Sequence, residues 1–164
     1  MKMPAVSVIM GSDSDMSVMK NAHDMLNKFG IACEVKILSA HRSPEDVARF
    51  ARHASRRGIK VIIAGAGGAA HLAGVVASLT SLPVIGVPME SQALRGIDSL
   101  LSTVQMPAGV PVATMAIGPA GARNAGIFAA EIIALSDRKL AKKLEIHKKD
   151  LAVSVRKKNR KINP

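Results

Sequence analysis

The sequence predicts an α/β protein built on a parallel five-stranded sheet with helices on both faces, a three-layer αβα arrangement. Short runs rich in Val, Ile and Ala alternate with longer segments whose apolar residues recur at helical spacing. The third run, at residues 61–64, is apolar throughout, which is typical of a parallel strand buried on both faces. The chain of 164 residues is long enough to build one such domain around a sizeable core.

Each strand is followed by a turn and then by a helix, as a parallel sheet requires. Strands are predicted at residues 5–10, 31–38, 61–64, 83–87 and 112–117. Helices are predicted at residues 16–29, 44–57, 71–79, 97–104 and 120–135. Gly30 ends the first helix, and Ser43 is expected to cap the second helix, which has Pro44 at its first position.

Residues 136–164 differ in composition from residues 1–135, which divides the chain into an α/β domain and a basic C-terminal helical arm. The domain holds 12 Lys and Arg against 9 Asp and Glu, whereas the arm holds 11 against 3. The arm carries an apolar stripe at helical spacing, made of Leu140, Leu144, Leu151 and Val155. Because the core is expected to be complete by Leu135, we predict that the stripe packs on a neighbouring subunit. An anionic surface or a frayed end are the alternatives.

Composition argues against several classes of partner. The net charge of +11 invites a nucleic-acid interpretation, but the chain has no Trp, no Tyr and three Phe, so stacking platforms for unpaired bases are nearly missing. No apolar run approaches the roughly 20 residues of a membrane span. A single cysteine, Cys33, excludes an internal disulfide and predicts a cytoplasmic protein. Cys33 lies in a strand-like run, which favours a small buried apolar residue over a reactive thiol.

The turns after the first two strands carry candidate binding and catalytic groups. Ser12 and Asp15 lie in a short Gly/Ser turn at a helix start, where backbone N–H groups favour phosphate and a carboxylate can accept from sugar hydroxyls. A simple helix cap is the alternative interpretation of this turn. The second turn, Ser39-Ala40-His41-Arg42, places a titratable imidazole beside a guanidinium. The alternative interpretation of this turn is a helix start whose histidine and arginine are simply exposed to solvent.

The turn after the third strand is nearly free of side chains. Residues 65–70 consist of three glycines and three alanines, so a ligand can approach the backbone closely. The turn does not follow the first strand, as a Rossmann dinucleotide fingerprint would, and we therefore disfavour a nicotinamide cofactor. His71 begins the next helix, and a lone histidine there is by default a structural residue.

Taken together, these segments resemble the PurE family of N5-carboxyaminoimidazole ribonucleotide mutases. The resemblance rests on residues 10–15, 39–42, 65–72, 86–88 and 104–111, in order and at the right spacing. It covers about residues 5–135. The arm carries no motif that matches.

The resemblance implies a flavodoxin-like sheet with strand order 2-1-3-4-5, a homo-octamer with active sites at subunit interfaces, and neither a metal nor an organic cofactor. It implies a reaction that moves a carboxylate from the exocyclic nitrogen of an aminoimidazole ribonucleotide to ring carbon C4. It assigns general acid–base catalysis to His41. Substrate binding is assigned to Ser12, Asp15, Ser39, Ala40, Arg42, Gly67, Gly68, Ala69, His71 and Leu72.

The sequence leaves two rival functions open, and it departs from the usual family pattern at three positions. The carboxylase branch, which uses the unmodified amine and free carbon dioxide, is expected to carry Lys after the loop histidine, so Arg42 favours the mutase. A non-catalytic nucleotide- or nucleic-acid-binding module that uses the arm is the rival from another class. Ala73 stands where the family usually has proline, and Glu90 and Arg95 stand where many relatives have smaller residues, so local differences in these loops are expected.

Overall fold

The computed structural model describes residues 3–162 and contains one parallel sheet of five strands. The strands are β1 (Val6–Met10), β2 (Cys33–Ile37), β3 (Val61–Ala66), β4 (Val84–Pro88) and β5 (Ala113–Thr114). Their order across the sheet is β2-β1-β3-β4-β5, which confirms the predicted topology. In the register of the sheet, Val8 pairs with Val35 on one side and with Ile63 on the other.

Six α-helices accompany the strands. They are α1 (Met16–Phe29), α2 (Pro44–Ala54), α3 (Leu72–Ala77), α4 (Ile97–Val104), α5 (Pro119–Ala134) and α6 (Arg138–Ile162). Short 3-10 turns precede α1 and follow α2, at Asp13–Asp15 and Ser55–Arg57. Gly30 and Gly58 end these helical segments in the left-handed conformation, with φ of 79° and 86°, as their positions in the sequence predict.

The sheet separates two hydrophobic clusters. On one face, Val8 and Ile63 pack with α1 and α5, while on the other face Ile9 and Ile62 pack with α2 and α3. Both faces of β1 and β3 are therefore covered, and their residues are mostly apolar; the buried exception in β1, Ser7, donates a 3.0 Å hydrogen bond to Glu34 Oε1. Full burial of one such side chain stabilises the fold by roughly 1.5–3 kcal/mol.

Two glycines permit close packing of helices. A Cβ atom at Gly126 of α5 would lie 2.8 Å from the carbonyl oxygen of Ala22 in α1, so these helices meet along bare backbone. A Cβ atom at Gly86 of β4 would collide with the Thr103 side chain of α4 and lie 3.0 Å from Val112 Cγ1. Helix α4 thus lies directly on the sheet at Gly86.

The edge strands differ from their predictions. Strand β2 has only β1 as a neighbour, and Ile37 is 52% exposed although its apolar run suggests burial. Cys33 is only partly buried, and burial raises the pKa of its thiol. The sequence predicts the fifth strand over residues 112–117, but it pairs with β4 at two positions only, because the chain beyond Met115 turns towards α5, which begins at Pro119.

The first half of helix α6 packs against the core of the domain. Asp137 caps it by accepting from the backbone N–H groups of Lys139 and Leu140, at 2.9 and 3.1 Å. Leu140 and Leu144 are buried in the cluster that contains α1 and α5, so the expectation that the core is complete by Leu135 is wrong. The sequence pattern could not separate the two halves of the stripe, since both repeat at helical spacing.

The second half of α6 leaves the domain. Leu151 and Val155 are 55% and 58% exposed, and every residue from Lys148 onwards in the described part of the helix is exposed. Residues 149–162 of this exposed segment are called the distal arm below. Within residues 3–162, no helix combines the length and hydropathy needed to cross a bilayer.

We predict that Leu144→Ala lowers the free energy of unfolding by about 2–4 kcal/mol, because it opens a cavity in the core. Lys149→Ala, on the exposed distal arm, is the matched control and should change it by less than about 0.5 kcal/mol. Chemical denaturation at a fixed protein concentration measures both. Equal effects of the two substitutions would contradict the packing of α6 described here.

Candidate active site

The loops that follow β1, β2, β3 and β4 converge on one cleft at the carboxyl edge of the sheet. The cleft has a volume of about 560 Å³. Every predicted site residue lines it, namely Ser12, Asp15, Ser39, Ala40, His41, Arg42, Gly67, Gly68, Ala69, His71 and Leu72. The parallel order of the strands produces this convergence, since all of their carboxyl ends lie on the same edge.

The imidazole rings of His41 and His71 are in direct contact. His41 Nε2 lies 2.9 Å from His71 Nδ1, and the rings meet edge to face with centroids 5.0 Å apart. One nitrogen of this pair must donate and the other accept, so the two rings share a single proton at the contact. The sequence interpretation of His71 as a lone structural residue missed this pair, because 30 residues separate the two histidines.

Arg42 joins the loops that follow β1 and β2. Its Nη2 donates a 2.8 Å hydrogen bond to the carbonyl oxygen of Gly11, and its Nε donates to Ser39 Oγ at 3.3 Å. The Arg42 backbone N–H donates to the same Ser39 hydroxyl oxygen at 3.2 Å. The guanidinium group is therefore held at the cleft by both loops, and its planar fork is pre-oriented.

Ser43 braces the histidine loop instead of capping α2. It occupies the N-cap position, but its side chain makes no capping hydrogen bond. Its hydroxyl donates to the Ser39 carbonyl at 3.2 Å and accepts from the Ser39 N–H at 3.3 Å. The predicted side-chain cap is wrong because this local bonding to the backbone competes with capping. The result is a closed turn that presents His41 and Arg42.

The loop after β1 forms a short 3-10 turn at the cleft. Ser12 caps it by accepting from the Ser14 N–H at 3.4 Å. Asp15 closes the turn at the start of α1 and is partly buried. Burial raises the pKa of the Asp15 carboxyl above its usual range, and hydrogen bonds from Ser14 and Ser12 oppose that shift.

The glycine-rich loop after β3 forms the side of the cleft next to β4. Gly68 has a φ of 63°, a conformation that side chains rarely adopt. A Cβ atom at Gly67 would approach Met89 Cβ to 3.2 Å, so the loop lies close against the neighbouring segment. Ala70 and Leu72 are buried and anchor the end of the loop.

The prediction missed several lining residues, which are Gly11, Ser14, Ala66, Met89, Glu90 and Ser91. Met89, Glu90 and Ser91 form the loop that follows β4. Because β4 lies next to β3 in the predicted sheet, the strand order is the signal that could have found them. The cleft balances Arg42 and two histidines against the carboxylates of Asp15 and Glu90. No cluster of three His, Cys, Asp or Glu that could hold a metal ion occurs within residues 3–162.

A family model described as AIR carboxylase matches residues 5–154 of the chain. The chain belongs to this family. The match spans the whole sheet and all four loops of the cleft, and it continues into α6. The resemblance to this enzyme group expected from the loop motifs is thereby confirmed.

Relatives in the AIR carboxylase family share most of the chain. An N5-carboxyaminoimidazole ribonucleotide mutase of Vibrio parahaemolyticus is 56% identical over 92% of this chain and 93% of its own. A Bacillus subtilis protein of the same name is 58% identical over 87% of this chain and 88% of its own. The crystal structure of Treponema denticola PurE superimposes with a TM-score of 0.87 at 28% identity, covering 96% of this chain and 98% of that one.

The three departures from the usual family pattern leave the cleft in place. Ala73 is buried in α3, which begins at Leu72 without the proline. Glu90 is exposed and lines the cleft. Arg95 is the only residue other than glycine with a positive φ, 52°, within residues 3–162, so the loop before α4 holds local backbone strain.

We predict that Asp15→Asn raises the melting temperature at pH 7 and leaves it nearly unchanged at low pH. A raised pKa in the folded state means that the protonated carboxyl is favoured on folding. This preference stabilises the folded protein when the pH is below the pKa of the carboxyl in the unfolded chain, about 4. The stabilisation is lost as the pH rises through the pKa of Asp15 in the folded protein. Thermal unfolding at several pH values tests this. A stabilisation by Asp15→Asn that is largest at low pH would contradict the assignment.

Proposed function

We propose that this protein is an N5-carboxyaminoimidazole ribonucleotide mutase, which forms 4-carboxy-5-aminoimidazole ribonucleotide in purine biosynthesis. The observation that carries the proposal is the convergence of His41, His71 and Arg42 on one cleft in a chain 56% identical to a mutase of that name. The single cysteine suits a cytoplasmic enzyme of this kind.

In the proposed reaction, His41 transfers a proton in two directions. As an imidazolium, it protonates the exocyclic carbamate nitrogen, the N–C bond breaks, and carbon dioxide leaves. Ring carbon C4 then attacks the carbon dioxide, and neutral His41 removes the C4 proton to restore the aromatic ring. The cycle returns His41 to its protonated form and consumes no co-reactant. An imidazole suits both steps because its ordinary pKa lies near neutrality.

His71 supports the proton-carrying role of His41. Its Nδ1 lies 2.9 Å from His41 Nε2 and can accept the N–H of a protonated His41. This contact holds the His41 ring in a fixed orientation at the cleft, as a group that transfers a proton at a defined atom requires. The arrangement gives His71 a larger part in the chemistry than shaping the pocket.

The remaining residues bind the substrate in this proposal. Ser12 and Asp15, at the helix-start loop, take the phosphate and ribose, while Arg42 holds a phosphate or carboxylate through its fork. The bare backbone of Gly67 and Gly68 leaves a small, side-chain-poor space for carbon dioxide. The contacts of Arg42 with both neighbouring loops support its role, because they orient the fork before a ligand arrives.

A carboxylase that uses the unmodified amine and free carbon dioxide is the alternative expected from the sequence. Arg42 beside the loop histidine favours the mutase. The two activities are separated by one experiment. Purified protein is mixed with the carbamate ribonucleotide without ATP or bicarbonate, and product is followed by NMR. Formation of the C4 carboxylate supports the mutase, whereas turnover only of the unmodified amine with bicarbonate supports the carboxylase.

We further propose that the cleft is completed by a neighbouring copy in a homo-octamer. Arg42 is the one Lys or Arg among its lining residues, and Asp15 and Glu90 offset it. A doubly charged phosphate and a carbamate call for more positive charge than one chain supplies. In this assembly the distal arm of α6 packs on a neighbour through Leu151 and Val155, which a single chain leaves exposed.

We predict that His41→Asn lowers kcat by at least about 10²-fold, the usual contribution of general acid–base catalysis, while substrate still binds. His71→Asn keeps a hydrogen-bonding side chain at the pair and should lower kcat less. Steady-state kinetics across pH values compare the two. Near-native turnover of His41→Asn with loss in His71→Asn would reverse the roles.

For the distal arm, we predict that a chain ending at Lys148 keeps its fold but forms smaller particles or dissociates more readily. The truncation retains Leu140 and Leu144 in the core, so any change reports on the arm itself. Light scattering and thermal unfolding measure the result. The double substitution Leu151→Asp with Val155→Asp should have the same effect as the truncation. An unchanged particle size in both proteins would contradict a role for the distal arm in assembly.

A further inference from the structure

We infer that Ser99 of α4 is a positioning residue for the cleft: its hydroxyl holds the glycine-rich loop, and through it His71, in the geometry that the histidine pair requires. This inference rests on the proposed function, since it concerns the same cleft. Ser99 lies behind the loop and does not line the cleft. Its effect must therefore act through the residues in front of it.

The inference rests on a hydrogen bond from the glycine-rich loop to the buried hydroxyl of Ser99. The backbone N–H of Gly68 donates to Ser99 Oγ at 2.9 Å, across 31 residues of sequence. Ser99 is fully buried, at 0% exposure, so water cannot replace the hydroxyl as acceptor. Removing it would take away the protein acceptor of the Gly68 N–H, which is costly for a donor in a partly buried loop.

Two other backbone bonds of the loop are local. The Ala70 N–H donates to the Gly68 carbonyl and the His71 N–H donates to the Ala69 carbonyl, each at 2.8 Å. These bonds set the curl of the loop but do not join it to the rest of the domain. The bond to Ser99 joins the loop to α4 at Gly68, the residue with a φ of 63°. Its loss would loosen the loop at Gly68, three residues before His71, and so change the position of the His71 ring, although Ala70 and Leu72 stay anchored.

The same turn of α4 also holds the fourth loop of the cleft. Asp98 Oδ1 accepts from Ser91 Oγ at 2.7 Å and from the Ser99 N–H at 2.9 Å. The hydrogen bond from Ser91 is the main reason that the pKa of the Asp98 carboxyl lies below its ordinary value, which keeps it an acceptor at neutral pH. Ser91 in turn accepts from the Gly96 N–H at 3.1 Å. One helical turn therefore orders two walls of the cleft.

The test compares Ser99→Ala with a matched serine on the same helix. Ser102 donates to the Asp98 carbonyl at 2.7 Å and reaches the Gly68 carbonyl only at 3.5 Å, so Ser102→Ala removes a hydroxyl without removing the acceptor. Ser99→Thr restores the hydroxyl. The measurements are kcat and KM for the carbamate ribonucleotide, together with hydrogen exchange of the Gly68 amide in the ligand-free protein.

For Ser99→Ala we expect faster exchange at Gly68 and a kcat reduced about tenfold, with KM changed less than about twofold, as loss of one buried hydrogen bond implies. Ser102→Ala should match wild type in both measurements, and Ser99→Thr should recover at least half of the lost kcat. Unchanged exchange at Gly68, unchanged kcat, or a rise in KM alone would each overturn the inference.

Two further outcomes have to be distinguished from a failure of this inference: wild-type protein without turnover, and a Ser99→Ala variant that does not fold. If wild-type protein shows no turnover, the proposed function fails, while exchange at Gly68 still decides whether Ser99 holds the loop. If Ser99→Ala does not fold, Ser99→Cys gives the same comparison with a smaller change, because a thiol of similar size is a weaker acceptor than a hydroxyl. Wild-type exchange and kcat in Ser99→Cys would overturn the inference.

Discussion

The parallel direction of β1 to β4 is the constraint on which the rest of the structure depends. It forces every connection to cross over through a helix, and it brings four loops to one edge of the sheet. The chain leaves β1 for β2 on one side and returns to β3 on the other, which opens a crevice between the loops. His41 and His71 meet there although their elements lie on opposite sides of β1.

Much of this arrangement could be predicted because it follows local rules. Continuous apolar runs identify doubly covered strands, and Gly30 and Gly58 end helices where the pattern places them. The composition of the loops then selects the candidate residues. Lining of the cleft by Ser12, Arg42 and Gly67 follows from placing each loop after a strand, without knowledge of any distance.

What the sequence could not supply were the long-range contacts. The pairing of His41 with His71 depends on loop conformation, and so does the use of Ser43 as a brace in place of a cap. The burial of Leu144 depends on where α6 turns back against α1 and α5, which periodicity does not encode. In each case the residue type permits two roles, and tertiary packing selects one of them.

The bare backbone at Gly86 acts as a spacer that sets the distance between sheet and helix. Thr103 of α4 lies where a side chain at this position would be, and its hydroxyl donates to the Ser99 carbonyl at 2.7 Å. A methyl group added at Gly86 would press on Thr103 and so on the turn that carries Ser99. The size of a residue in the middle of a strand, outside the cleft, thereby becomes a determinant of where the helix that holds the glycine-rich loop can lie.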